Sequence, residues 1–273
     1  KKVDFVLVGG SVVHGSCVTQ DKTIDSQLSQ VSKNKLNKKI NTINLGFAGD
    51  GPLLDYATLK EYLQYIEAKR VLYFFYEYYD FQYLQTEVKD LLLKKYKDDT
   101  FQQKLVDRQS DIDRITYNVL EKEALKKNRG LYAFIKLEKL RSLLISFLSK
   151  KLIELKVQSF EPSEKIYQDY NDILINMKKL TKDANVELYF IYLPHISRFS
   201  SYDYDSNYKV YDKTISMVKG LGIKYIDLLN KFKLEHSDPL SMFQKKKEPH
   251  LNEAGYKFVA EIIIKEINKI EKE

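Results

Sequence analysis

Short apolar runs alternate along most of the chain with longer segments in which apolar residues recur every three or four positions. The runs are Val3-Asp4-Phe5-Val6-Leu7-Val8, Ile40-Asn41-Thr42-Ile43-Asn44, Val71-Leu72-Tyr73-Phe74-Phe75-Tyr76, Val186-Glu187-Leu188-Tyr189-Phe190-Ile191-Tyr192 and Ile223-Lys224-Tyr225-Ile226-Asp227. They are nearly continuous rather than strictly alternating, the pattern of strands buried on both faces in a parallel sheet. The periodic segments, roughly 22–36, 52–67, 162–183, 207–220 and 252–270, predict helices between them. Strand and helix in turn predict an α/β fold of three layers, a roughly five-stranded parallel sheet with helices on both faces. The last helix is the clearest, with Asn252 as its N-cap and Val259, Ile262, Ile263, Ile267 and Ile270 in one stripe.

Residues 84–160 break the alternation. They are rich in Lys, Glu, Asp and Leu, hold no Pro and have Gly130 alone of its type, which predicts a helical insertion or cap after the third strand. Within it Leu140, Leu143, Leu144, Phe147, Leu148, Leu152 and Leu155 trace one apolar face, expected to pack on its own domain or to meet a membrane surface or a partner. The whole chain, 1–273, reads as one domain carrying this insertion.

Composition narrows the classes of function. A 273-residue chain with 44% hydrophobic and 30% charged residues has the make-up of a globular domain, which excludes disorder and coiled coil. Six of the 45 basic residues are Arg, and no dense basic block accompanies the net charge of +7, so nucleic acid is not an expected partner. One cysteine, Cys17, and four dispersed histidines offer no metal-ligand spacing, and Cys17 reads as a small buried hydrophobe. No run reaches the length of a membrane span, and the start at Lys1-Lys2-Val3 carries no signal-peptide pattern.

Candidate chemistry gathers where strands end, the place where open parallel sheets bind ligands. After the first strand comes Gly9-Gly10-Ser11-Val12-Val13-His14-Gly15, whose small residues allow a sharp turn that exposes Ser11; it lacks the GxGxxG spacing of a dinucleotide loop. After the second comes Asn44-Leu45-Gly46-Phe47-Ala48-Gly49-Asp50-Gly51-Pro52, either a tight loop or a source of backbone N–H groups for an oxyanion. Before the last helix stands Glu248-Pro249-His250-Leu251-Asn252-Glu253-Ala254-Gly255, with an acid two residues ahead of a histidine that could take a serine proton. Asp50 and Asp80 are expected to hold loops by hydrogen bonds. His14 is expected to be structural, and His195 to stand at the same rim of the sheet.

At these blocks the sequence resembles the SGNH (GDSL-type) hydrolase superfamily, over nearly the whole chain outside the helical insertion. Gly9-Gly10-Ser11 looks like the first block, with Gly10 where the family often has Asp. The resemblance implies a flavodoxin-like sheet, Ser11 as nucleophile and His250 as base, with Gly49 and the Ser11 N–H as oxyanion donors and no cofactor. The family commonly has Asp three residues before the histidine, where this chain has Lys247. A branch that includes polysaccharide O-acetyltransferase-like proteins has the acid two before, matching Glu248. In the third block Tyr76-Glu77-Tyr78-Tyr79-Asp80 puts Tyr79 where the family has the Asn side-chain donor of the oxyanion hole.

The resemblance therefore implies a serine-dependent esterase or O-acyltransferase acting on O-acetyl or other small acyl groups of a carbohydrate. It also implies a bacterial-type extracytoplasmic setting, with any membrane anchor outside this chain. The second reading, supported by Tyr79, is a catalytically weakened SGNH-like domain that binds glycan or a partner. Losing one oxyanion donor typically costs about 10²–10³ in turnover, which weakens an enzyme without abolishing it.

Overall fold

The computed structural model describes residues 2–77, 79–127, 161–199, 207–246 and 249–270. The chain divides into two compact units, Lys1–Gln102 with Phe160–Glu273, and Gln103–Ser159. The first unit holds five strands, β1 (Lys2–Val8), β2 (Thr42–Asn44), β3 (Glu67–Tyr76), β4 (Glu187–Leu193) and β5 (Lys224–Asp227). All pair in parallel in the order β2-β1-β3-β4-β5, the flavodoxin-like arrangement. Alternate residues of each central strand enter opposite cores. Val6, Val8, Tyr73 and Phe75 face one side, and Phe5, Leu7, Leu72 and Phe74 the other. This two-sided burial is why the strands read as continuous apolar runs.

The helices follow the same logic. On the first face lie α3 (Pro52–Tyr62), α4 (Tyr79–Glu87), α6 (Glu164–Asp183) and α7 (Asn207–Gly220); on the second lie α1 (Ser11–His14), α2 (Ile24–Leu36), α8 (Leu228–Glu235) and α9 (Glu253–Ile270). Pro52 opens α3 at a position where its missing N–H costs nothing. Asn252 caps α9 by accepting from the Gly255 N–H at 3.0 Å. Val259, Ile262, Ile263 and Ile267 are buried against the sheet as the periodicity predicts, and Ile264 joins them.

An insertion is expected over 84–160, and the second compact unit spans Gln103–Ser159. Leu84 and Tyr96 are fully buried in the first unit's core and Phe101 packs on it, apolar residues that the surrounding Lys and Asp had masked. In the second unit, α5 (Gln109–Lys127) exposes Ile115, Tyr117, Val119 and Leu120. The apolar face expected over 140–155 lies outside the described residues. Among the described residues no helix is long and apolar enough to cross a membrane.

Chain order and sheet order together create the crevice. From β1 the chain crosses to β2 at one edge, then back past β1 to β3, so the loops after β1 and β3 diverge at the carboxyl end of the sheet. A buried ion pair stiffens the far wall of that rim. Glu77, just past β3, accepts two bonds from Arg198 Nε, at 2.8 and 3.0 Å, a further one from the Arg198 terminal nitrogen, and one from the His195 N–H at 3.1 Å. Both side chains are almost completely excluded from water. Breaking such a pair strands a charge, so Glu77→Gln or Arg198→Met should each cost about 3–5 kcal/mol in urea unfolding, whereas Glu77→Leu with Arg198→Met should recover most of the loss.

Candidate active site

β1 ends in a turn that only glycine can make. Gly9 has φ +149, and a Cβ there would stand 2.8 Å from Val13 Cγ2 and 2.9 Å from the Phe74 carbonyl oxygen. The chain then enters the single turn of α1, burying Val12 and Val13 and leaving the Ser11 side chain half-buried above the sheet. As the first residue of that turn, Ser11 has a backbone N–H with no acceptor inside the helix.

The opposite end of the chain supplies the partner. His250 lies in a loop pinned by the bridge between Phe243 and Leu251, with the Gln244 N–H donating to the His250 carbonyl at 2.9 Å and the Asn252 N–H to the Met242 carbonyl at 2.9 Å. The Tyr76 hydroxyl, at the end of β3, donates to the Pro249 carbonyl at 2.5 Å, and the buried Tyr256 hydroxyl of α9 donates to the Val12 carbonyl of α1 at 2.8 Å. These ties set His250 Nε2 2.9 Å from Ser11 Oγ, across 239 positions of sequence. A nucleophile and base at that separation are in proton-transfer range.

Ser11 and His250 open on a cavity of about 100 Å³, whose walls include Tyr76, Tyr79, Tyr83 and Asp80. Tyr79, in the position of the expected amide donor, is a half-buried aromatic wall; its ring lies 5.3 Å from that of Tyr76 and 5.8 Å from that of His195. Gly49 has φ +95 in the loop after β2 and adjoins Asp50, which lines the cavity. Glu248 lies outside the described residues.

Lining the cavity and behind it, four carboxyl groups share a poorly solvated space. Burial pushes Asp50 up to about 6. Burial also raises Glu87 to about 7, against the opposing pull of backbone N–H bonds from Gly51, Leu53 and Leu54. Asp55 and Asp80 are fully buried and shifted well above the ordinary carboxylate range, first by desolvation and then by the neighbouring acids. Asp80 holds its loop as expected, accepting the Tyr76 N–H at 2.8 Å. The half-buried His195 is held down to about 4 by desolvation and by Arg198, so it is a neutral imidazole at the rim.

Other polar residues stand apart from the chemistry. His14 is exposed, 3.1 Å from Ser16 Oγ through its Nδ1 and edge-on to Phe47. Cys17 is exposed rather than buried, because the chain after α1 turns out over the surface at Gly15 to Val18. No group of side chains suited to hold a metal occurs among the described residues. Sequence reasoning missed Tyr76, Tyr256 and Glu87. The two tyrosines are apolar members of a strand and a helix, and Glu87 is one acid in a charged stretch; only their partners reveal them.

No protein-family model matches the sequence, and no curated protein matches it. Solved structures do match over nearly its full length. A protein ascribed to the lipolytic G-D-S-L family from Desulfitobacterium hafniense DCB-2 is 12% identical with a TM-score of 0.50, covering 96% of this chain and 97% of that one. The acetyl xylan esterase AlAXEase is 11% identical with a TM-score of 0.51, covering 98% and 100%. A two-domain esterase (CEX) active on acetylated mannans is 11% identical with a TM-score of 0.53, covering all of this chain and half of that one. The shared feature is the fold.

Two outcomes follow from the geometry. Tyr76→Phe removes the tie on Pro249 and should quicken amide hydrogen exchange at 250–252 while leaving the central strands unchanged. The carboxyls give an unusual pH dependence. A carboxyl whose folded value is raised binds its proton more tightly when folded, so stability falls as pH rises from its unfolded value, 4.5 for Glu87, through its folded value, about 7. His195 acts in the opposite sense, but only between its unfolded 6.5 and its folded value of about 4. The melting temperature should therefore rise by a few degrees as pH is lowered from about 8 to about 6.5, and Asp55→Asn should raise it at about pH 8 and flatten the slope.

Proposed function

We propose that this chain, which has the fold of the SGNH (GDSL-type) hydrolases, is a serine-dependent esterase or O-acyltransferase acting on small acyl esters of a carbohydrate. The observation that carries the reading is the 2.9 Å contact between Ser11 Oγ and His250 Nε2 at the switch point of the sheet. With its other nitrogen protonated, His250 accepts the hydroxyl proton as Ser11 Oγ bonds to the ester carbonyl carbon. The oxyanion that forms is held by the N–H groups of Gly49 and Ser11. His250 then returns the proton to the sugar oxygen as the ester C–O bond breaks, leaving an acyl-serine. Water, deprotonated by His250, releases the acid and restores Ser11; a second sugar hydroxyl in its place gives transfer. Glu248, two residues before His250, is the acid that holds the imidazole's orientation and stabilises its cation.

The size of the cavity favours a small acyl group. Its volume of about 100 Å³ equals about three water molecules, room for an acetyl but not for a chain of many carbons. The carbohydrate part of the proposal draws on the similar esterases that act on acetylated mannan and xylan.

The proposal is tested with p-nitrophenyl acetate and with acetylated manno- or xylo-oligosaccharides. Wild type should hydrolyse them, Ser11→Ala and His250→Ala should lose at least about 10³-fold in turnover, and Glu248→Gln should lose a smaller but clear factor. Added unacetylated oligosaccharide that diverts acetyl from water to sugar identifies a transferase. Tyr79→Ala should raise the rate on butyryl relative to acetyl esters by about tenfold or more, the discrimination that one or two methylenes provide. Glycan binding without turnover, unaffected by Ser11→Ala, would instead identify a binding domain with a disabled oxyanion hole.

A further inference from the structure

Between β2 and α3 the loop over 45–51 carries Gly49, and its far end is clasped by a single side chain from another element. Glu87, the last residue of α4, accepts the Gly51 N–H on Oε1 at 2.7 Å and the Leu53 N–H on Oε2 at 3.0 Å, both bonds buried. Pro52, between those donors, has no N–H, so the carboxylate straddles it and takes up the two N–H groups that frame the start of α3. The fit is close on every side: a Cβ on Gly51 would lie 2.6 Å from Tyr83 Cβ and 2.8 Å from Glu87 Oε2.

A helix can be docked more cheaply with an apolar side chain. Here the docking group is an acid held out of water beside the carboxyls of Asp50, Asp55 and Asp80, a placement whose desolvation cost is offset only in part by the backbone N–H groups it holds. The helix that carries it links the rest of the site. It begins with Tyr79 on the cavity wall and Asp80 on the Tyr76 N–H, and Tyr76 in turn holds Pro249 next to His250.

We propose that Glu87 is a positioning residue for the reaction, fixing the Gly49 loop against α4 so that its backbone donor keeps station over Ser11. The assignment rests on the serine-esterase reading above. Glu87→Gln keeps the shape and one acceptor; Glu87→Leu keeps neither acceptor. For p-nitrophenyl acetate the expected kcat falls about tenfold in Glu87→Gln and about a hundredfold in Glu87→Leu, with KM within about twofold of wild type, the scale set by small misplacements of catalytic groups. The melting temperature of Glu87→Gln should stay level, since a desolvated acid is removed and one acceptor kept, whereas Glu87→Leu should lower it by leaving the buried Gly51 and Leu53 N–H groups unpaired. Amide hydrogen exchange should quicken at 46–53 and stay unchanged in the central strands.

Unchanged kcat with unchanged exchange at 46–53 would overturn the assignment. So would a loss of kcat in Glu87→Gln that simply follows a fall in its melting temperature, the sign of a structural role. If wild type hydrolyses no ester, the esterase reading fails and the exchange measurement alone decides the clasp: faster exchange confined to 46–53 sustains it, and none refutes it.

Discussion

The 2.9 Å contact between Ser11 and His250 joins residues from the two ends of the chain, and most of the surrounding structure exists to keep it. A serine hydroxyl on a tight turn and an imidazole on a loop are each easily displaced, and a misplacement of about an ångström can slow a reaction about a hundredfold. Buried hydrogen bonds supply the rigidity. Tyr256 ties α9 to α1, Tyr76 ties β3 to the histidine loop, and Glu77 with Arg198 ties the end of β3 to the turn after β4. All of them act at the carboxyl edge of the sheet, where the strand order leaves a crevice between the loops after β1 and β3.

The same edge concentrates unfavourable electrostatics. Asp50, Asp55, Asp80 and Glu87 are placed within reach of one another under or beside the cavity, and both carboxyl oxygens of Asp55 are buried without a hydrogen-bond partner among the described residues. A fold selected for stability alone would fill this space with apolar side chains. Two of the four nevertheless hold backbone N–H groups next to the site, Asp80 at Tyr76 and Glu87 at Gly51 and Leu53. Stability is given up where geometry is needed, a pattern that recurs at functional sites.

Much of this was legible in the sequence, and the reason is burial. Strands covered on both faces are apolar throughout, so β1, β3 and β4 stand out, and the helical stripe of α9 ends at an asparagine that does cap it. The three glycine- and histidine-bearing loops were visible because strand ends in a parallel sheet are few and their residues unusual. What stayed hidden depends on long-range partners. The place of Leu84, Tyr96 and Phe101 in the core was masked by the lysines and aspartates around them, and Cys17 was assigned to the interior although its turn runs over the surface. Glu87 and Tyr76 carry no local signal, since what each holds is a backbone group distant in sequence.

If Ser11 is an activated nucleophile, intact-mass analysis after fluorophosphonate treatment should show one covalent adduct on folded wild type and none on Ser11→Ala under the same conditions. A folded wild type that takes up no adduct, or an adduct that persists in Ser11→Ala, would contradict it.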